Sequence, residues 1–152
     1  NFFQYGVEGS RRFNALKVWL SLKLIGRRQF AAWIENDIYL ARLLAASLRR
    51  ERDFEILGPN TLGICNFRWV PRNPRRQPRF NERETDRLNR QLQELVEREG
   101  DAWFSTTVLQ GRVALRVNVE NRRMRRENVE RLVRVLRRSS DRILQAQDAL
   151  NV

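Results

Sequence analysis

Four consecutive residues, Gly9-Ser10-Arg11-Arg12, combine side chains and backbone suited to holding a carboxylate or a phosphate. The planar guanidinium of arginine pairs with a carboxylate through two parallel hydrogen bonds. A glycine next to a serine lets backbone approach a ligand closely. Two arginines at the start of a helix are repelled by the positive end of the helix dipole, so a ligand-binding role would explain their position. The alternative is that Arg11 and Arg12 are solvated residues that simply precede a helix.

Other chemistry is restricted by what the chain lacks. It has no histidine, which removes the commonest general base and the commonest metal ligand together. We therefore predict no catalytic residue and no metal site within this chain. The single cysteine, Cys65, lies in an apolar run and is predicted to be a buried small hydrophobe. Without a possible internal disulfide, an intracellular and specifically cytoplasmic protein is the default expectation.

The charge is strongly basic, with 30 lysines and arginines against 18 acidic residues and a net charge of +12. Such a balance raises the possibility of nucleic-acid binding. The excess is spread along the chain, however, with one local peak in the segment 71–81, and arginine replaces lysine almost everywhere. This pattern favours a general compositional bias, so we predict no specific nucleic-acid binding. No apolar run approaches the roughly 20 residues of a membrane span, and no membrane partner is expected.

The elements that must position these residues follow from hydrophobic spacing. A helix over 14–25 is apolar nearly all round, which predicts a buried helix ending at Gly26. The order that follows is α-β-β-α-β-β-α. Its predicted bounds are helices at 28–50, 82–98 and 125–147, and strands at 54–57, 62–69, 103–109 and 112–119.

This order predicts an α+β fold in which helices pack on one face of a small antiparallel sheet. Alternation predicts that Val113, Leu115, Val117 and Val119 point inward. Phe67 and Trp69 are expected in the core; the alternative, since both lie on one face of the strand, is that they stack nucleic-acid bases. Residues 1–26 stand apart from the α+β unit at 27–152, and 71–81 is expected to be a mobile surface linker rich in proline and arginine.

The segment SRRFNALKVWLSLKLIG resembles the end of the large domain and the connecting helix of group II pyridoxal-phosphate-dependent decarboxylases, the aromatic amino-acid and glutamate decarboxylase family of fold type I. The similarity continues through RRQFAAWIENDIYLARLLAASLRRERDFEIL and LGICNFRW. It ends in VALRVNVENRRMRRENVERLVRVL, which is similar to the last strand and helix of the family's small domain. The stretch ENRRMRREN departs from the family's usual helix start.

The resemblance implies that this chain is the C-terminal part of such an enzyme: residues 1–26 would end the large cofactor-binding domain, and 27–152 would form the small domain. It also implies pyridoxal 5′-phosphate as cofactor, an amino-acid substrate, a large domain outside this chain and a homodimeric parent. The family's cofactor lysine follows a histidine, so neither Lys17 nor Lys23 matches it, and the fragment alone is expected to be inactive.

The same resemblance implies a role for the opening motif. In glutamate-specific members, the arginine at the position of Arg11 holds the substrate carboxylate, and the small residue at Ser10 lines the pocket. Gly9 and Arg12 complete the expected substrate-binding set. Two other hypotheses remain open from the sequence: a free-standing basic module that binds nucleic acid non-specifically, and a purely structural domain in which this motif touches no ligand. The substrate's identity, and the choice between amine-forming and aldehyde-forming chemistry, also stay open.

Overall fold

The computed structural model describes residues 12–75 and 77–150, apart from the side chain of Leu150. The chain divides into two compact units, Asn1–Trp33 and Ile34–Val152. The described part of the first unit contains helix α1 (Asn14–Ile25) and the beginning of helix α2 (Arg27–Arg50). Phe30 and Trp33 make an edge-to-face contact there, with ring centroids 5.5 Å apart.

Helix α1 ends where the sequence predicts, but it is not buried. Gly26 adopts φ 83°, which glycine tolerates without a steric penalty, and its N–H donates to the carbonyl of Leu22. None of the helix residues is buried, and Leu24 is 84% exposed. The prediction of a buried helix is therefore wrong for this chain, because an apolar helix is buried only where other elements cover it.

The second unit is built around a four-stranded antiparallel sheet. Its strands are β1 (Phe54–Ile56), β2 (Ile64–Trp69), β3 (Ser105–Leu109) and β4 (Arg112–Asn118), in the order β1-β2-β4-β3. Cys65 pairs with Val117, and Phe67 pairs with Leu115. Helices α3 (Glu82–Arg98) and α4 (Arg126–Leu150) complete the unit with the rest of α2.

One face of the sheet carries the core. Phe67 and Trp69 are buried, and Phe67 stacks obliquely between Phe54 and Phe104 at centroid distances of 6.1 and 6.4 Å. The core side chains of α2, α3 and α4 join them in a single cluster. The predicted inward residues of β4 are all buried: Val113, Leu115, Val117 and, just beyond the strand, Val119. The predicted α+β fold is thus confirmed.

Helix α2 packs on the core through a wide apolar stripe. Ala41, Ala45 and Leu48 are buried, whereas Ile34 is half exposed. Leu40 and Leu44 are also buried, so two adjacent positions in each turn contact the core. A wide apolar stripe of this kind is normal for a helix that packs on a globular core.

The described residues of the linker at 71–81 form a folded loop. Arg72 and Pro78 form an isolated antiparallel bridge, and the N–H of Arg79 donates to the carbonyl of Pro71 at 2.8 Å. The side chain of Asn73 accepts from the N–H groups of Arg75 and Gln77. The loop leads directly into α3, where Asn81 and Glu84 form a capping box that satisfies backbone donors at the helix start.

Candidate functional site

The predicted substrate-binding motif lies mostly outside the described residues. Gly9, Ser10 and Arg11 fall in the part of the chain that the structure does not describe. Arg12 is exposed, and its carbonyl accepts a hydrogen bond from the N–H of Asn14 at 2.9 Å. Convergence of these four residues on one ligand therefore stays a prediction.

The start of α1 has two features that suit a nearby anion. Phe13 occupies the N-cap position without a capping side chain, and the first turn contains no acidic residue. The positive end of the helix dipole is consequently not offset by a carboxylate of the same helix. These features agree with the predicted motif, but a helix terminus does not by itself define a site.

Neither lysine lies in an environment that would hold an aldehyde cofactor. Lys17 and Lys23, the two lysines of the sequence, are both exposed on α1. The ammonium of Lys23 lies 5.7 Å from the centre of the Trp19 ring. Imine-forming lysines are activated by desolvation or by neighbouring cations inside a pocket, which exposed positions on a helix do not supply. The described residues therefore do not fit the covalent attachment of pyridoxal phosphate.

Cys65 is confirmed as a buried hydrophobe. Its side chain is fully enclosed in β2, and burial raises the pKa of the thiol to about 12, with Arg49 opposing the shift weakly. A thiol with such a pKa is protonated at neutral pH, whereas the thiolate is the reactive form. Cys65 thus contributes packing and no nucleophile.

A buried arginine is the main charged feature that sequence analysis missed. Arg68 points away from the aromatic core residues on either side of it, yet only 1% of its side chain is exposed. It forms ion pairs with Glu82 at 3.0 Å and Asp86 at 2.9 Å, both on the first turns of α3. The sequence signal for this feature was an arginine placed between two aromatic residues in a predicted strand. A fully buried cation needs an acidic partner, so such an arginine indicates carboxylates nearby.

The same turns of α3 close a gap in the sheet. Pairing of β2 with β4 ends at Phe67, and beyond it the side chain of Asn89 accepts from the N–H of Trp69 at 2.9 Å and donates to its carbonyl at 2.7 Å. Asp86 accepts from the N–H of Val113 on the neighbouring strand at 2.9 Å. These side chains replace the missing ladder bonds, so α3 fixes the separation of β2 and β4.

Asp37 on α2 is the one carboxyl among the described residues whose pKa is clearly shifted. Burial raises its pKa above 3.8, and the charge of Glu120 raises it further. Its Oδ1 atom is buried without a hydrogen-bond partner. The side chain packs beside Gly63, where a Cβ atom would collide with the carbonyl of Val119. Glycine is therefore required at position 63, and the carboxyl is held in unfavourable surroundings.

Many arginines in the second unit are used within the fold. On α4, Arg131 and Arg138 pair with Asp101, and Arg142 pairs with Glu99. Phe67 and Trp69, the residues that the alternative hypothesis assigned to base stacking, are both buried. The arginine content therefore does not assemble into a basic surface with exposed aromatic rings at these positions.

The described residues contain neither a membrane-spanning helix nor a metal-binding cluster. Among them, no helix has the length and apolar content needed to cross a membrane. Cysteine and acidic side chains of the described ranges form no group of three or more that could hold a metal ion.

Comparison with known proteins shows where this fold occurs. The model of the pyridoxal-dependent decarboxylase conserved domain matches residues 1–70. An aromatic-L-amino-acid decarboxylase of Bacillus atrophaeus is 38% identical over 117 residues, which cover 77% of this chain and 23% of that protein. Phenylacetaldehyde synthase of Arabidopsis thaliana is 32% identical over 106 residues, covering 70% of this chain and 20% of that protein. The chain thus spans about a quarter of the length of these relatives.

The fold agrees over almost the whole chain. A crystal structure of Oryza sativa TDC with PLP superposes with a TM-score of 0.80 at 23% identity, covering 94% of this chain and 30% of that one. The α+β unit with its preceding helix is therefore a part of the fold type I decarboxylase architecture. Together with the sequence similarity, this places the chain in the pyridoxal-dependent decarboxylase family.

Proposed function

We propose that this chain is the C-terminal part of a pyridoxal-phosphate-dependent amino-acid decarboxylase. In this proposal, residues 1–26 end the large domain and 27–152 form the small domain. The observation that carries the proposal is the family match over residues 1–70, which includes the Gly9–Arg12 motif. The common fold of the remaining residues supports it.

The cofactor would be held by the rest of a longer polypeptide. When bound, pyridoxal phosphate supplies the electron sink that makes loss of carbon dioxide from an amino acid feasible. This chain lacks a suitable lysine, because Lys17 and Lys23 are exposed on α1. We therefore propose that the chain has no decarboxylase activity when it is separated from the rest of the enzyme.

Within the whole enzyme, we assign the opening motif to the substrate pocket. Arg11 would pair with a carboxylate of the substrate, with Arg12 beside it, while Gly9 and Ser10 would allow close backbone approach. The first turn of α1 has no acidic residue and its N-cap has no capping side chain, which supports this assignment because no carboxylate of that turn competes for the guanidinium.

The reaction product and the assembly are also part of the proposal. One similar protein is named as a decarboxylase and another as an aldehyde-forming synthase, so both an amine and an aldehyde are possible products. We favour the amine, because the relative with the higher identity is the decarboxylase. We further propose a homodimeric, cytoplasmic enzyme.

The test is a product assay on the full polypeptide that contains this chain, loaded with pyridoxal phosphate. We expect stoichiometric release of carbon dioxide and amine from at least one aromatic or acidic L-amino acid. Aldehyde, ammonia and hydrogen peroxide, formed with uptake of dioxygen in place of amine, would correct the product. A folded, cofactor-loaded protein that releases carbon dioxide from none of the twenty amino acids would refute the proposal.

A further inference from the structure

One end of the second unit carries four arginines around a single hollow. The hollow has a volume of about 430 Å³ and lies where α2 ends and β1 begins. Its walls come from the last turn of α2, the turn before β1 and the loop after β2. The lining residues are Arg49, Arg50, Glu51, Arg52, Phe54 and Arg72. All of them belong to the second unit, so the hollow does not depend on the first.

The carboxylates at this hollow are already paired. Three acidic residues lie on or beside its walls, and each of them has an arginine as its partner. The pairs are Glu51 with Arg137 at 3.4 Å, Asp53 with Arg52 at 4.0 Å, and Glu55 with Arg72. These carboxylates therefore offset three arginines and have no charge left for the others.

Two arginines of the hollow have no carboxylate partner. Among the described residues, no ion pair joins Arg49 or Arg50 to an acidic side chain. Arg50 donates through Nε to the carbonyl of Ala46 at 3.3 Å, which leaves its two terminal nitrogens for another acceptor. Five arginines against three carboxylates thus leave a surplus of two positive charges.

The end of α2 explains only part of this surplus. The negative end of a helix dipole favours arginines in the last turn, but it amounts to about half an elementary charge. The surplus of two charges is larger, and it lines a concave surface. A concavity lined by one sign of charge concentrates ions of the opposite sign. The charge balance of the hollow therefore calls for an anion.

Charge and size together define the class of anion. Guanidinium groups bind phosphate through paired hydrogen bonds. A carboxylate has a single charge, which is less than the surplus. One phosphate group matches the charge but is much smaller than the hollow, whose volume lies in the range of small-molecule sites, about 300–1000 Å³. Two linked phosphate groups have both the charge and the length to contact arginines on more than one wall.

We propose that the hollow at the end of α2 binds a pyrophosphate group, either free or carried by a nucleoside diphosphate. Arg49 and Arg50 supply the unbalanced charge. Arg52 donates to the carbonyl of Asn73, which holds it in the opposite wall beside Arg72. This site uses none of the residues assigned to the proposed decarboxylase reaction, so the two proposals stand or fall separately.

Calorimetric titration with inorganic pyrophosphate tests this binding. The protein is the full polypeptide that contains this chain, loaded with pyridoxal phosphate so that the cofactor's own phosphate site is filled. At physiological salt without magnesium, we expect one site per chain with a dissociation constant below about 1 mM, at least tenfold tighter than for inorganic phosphate. No saturable binding, as when another segment of the polypeptide covers the hollow, would refute the proposal, and so would equal affinity for phosphate.

Protein variants separate this site from general charge attraction. Arg49→Gln removes an unbalanced charge without breaking an ion pair, so it should weaken pyrophosphate binding at least tenfold and leave the melting temperature unchanged. Arg134→Gln makes the same change at an exposed position of α4 and should leave binding unchanged. Equal weakening by the two substitutions would assign the binding to net charge and refute the site.

ADP and adenosine identify the source of the pyrophosphate group. ADP should displace pyrophosphate from the wild-type protein, whereas adenosine should not. Tighter binding of ADP than of pyrophosphate would assign the site to a nucleoside diphosphate, and weaker binding would assign it to the free anion. Displacement of pyrophosphate by adenosine would contradict recognition through the phosphates and refute the proposal.

Discussion

Among single residues, Arg11 carries the most direct consequence of the proposed function. In the full-length enzyme, Arg11→Ala would leave a substrate carboxylate unpaired in a partly desolvated pocket. We expect a loss of about 2–4 kcal/mol in transition-state stabilisation, roughly 30- to 1000-fold in kcat/KM. Arg11→Lys keeps the charge but loses the planar fork, so its loss should be smaller and still measurable.

The matched control for Arg11 is Arg75→Ala, an exposed arginine in the loop before α3. Its kcat/KM should stay close to wild type. If Arg11→Ala and Arg75→Ala are both folded, cofactor-loaded and equally active, Arg11 is a solvated residue and has no substrate role.

Asp37 leads to a prediction about stability and pH. Its pKa is raised in the folded state by burial and by Glu120, so the folded chain binds this proton more tightly than the unfolded chain. Stability is therefore lost as pH rises from about 3.8 through the raised value, and the loss persists above it. We expect Asp37→Asn to raise the free energy of unfolding at pH 7, with the gain disappearing below the ordinary aspartate pKa.

Urea unfolding at several pH values measures this effect. Glu120→Gln is the control that removes only the charge repulsion, so its gain at pH 7 should be smaller because burial is the larger cause of the shift. A difference between wild type and Asp37→Asn that does not change with pH would contradict this account.

Among the elements, α3 has the most specific structural task, because its side chains continue the ladder between β2 and β4. Asn89→Ala would leave the buried N–H and C=O of Trp69 without partners. Each unsatisfied group costs about 1–3 kcal/mol, so for the two groups we expect roughly 2–6 kcal/mol of destabilisation by urea unfolding. Arg90→Ala, at an exposed position of the same helix, should stay within about 0.5 kcal/mol of wild type.

For the whole molecule, the proposal predicts that cofactor chemistry needs more polypeptide than these 152 residues. Mixing the isolated chain with pyridoxal phosphate and then borohydride should give no stoichiometric, site-specific pyridoxyl-lysine, because both lysines are exposed on α1. Mass spectrometry of the reduced protein measures the adduct. One saturable adduct at Lys17 or Lys23 would show that the chain holds the cofactor by itself and would contradict its assignment as an inactive fragment.

The sequence by itself determined the element order, the α+β fold and most core residues, because helix and strand periods place apolar side chains on one side. The alternation in β4 that places Val113, Leu115 and Val117 inward is a local pattern, and the structure confirms it. The resemblance also pointed to the correct family. The roles of Gly9, Ser10 and Arg11 remain predictions, since these residues lie outside the described part of the chain.

Only the tertiary structure decided which charges are buried and which surfaces are open. Arg68 becomes a buried cation because α3, 14 residues further along, brings Glu82 next to it, and no local pattern encodes that approach. The exposure of α1 likewise depends on whether other elements cover it. Sequence periodicity shows which face of an element is apolar, but only packing between distant segments decides whether that face meets protein or solvent.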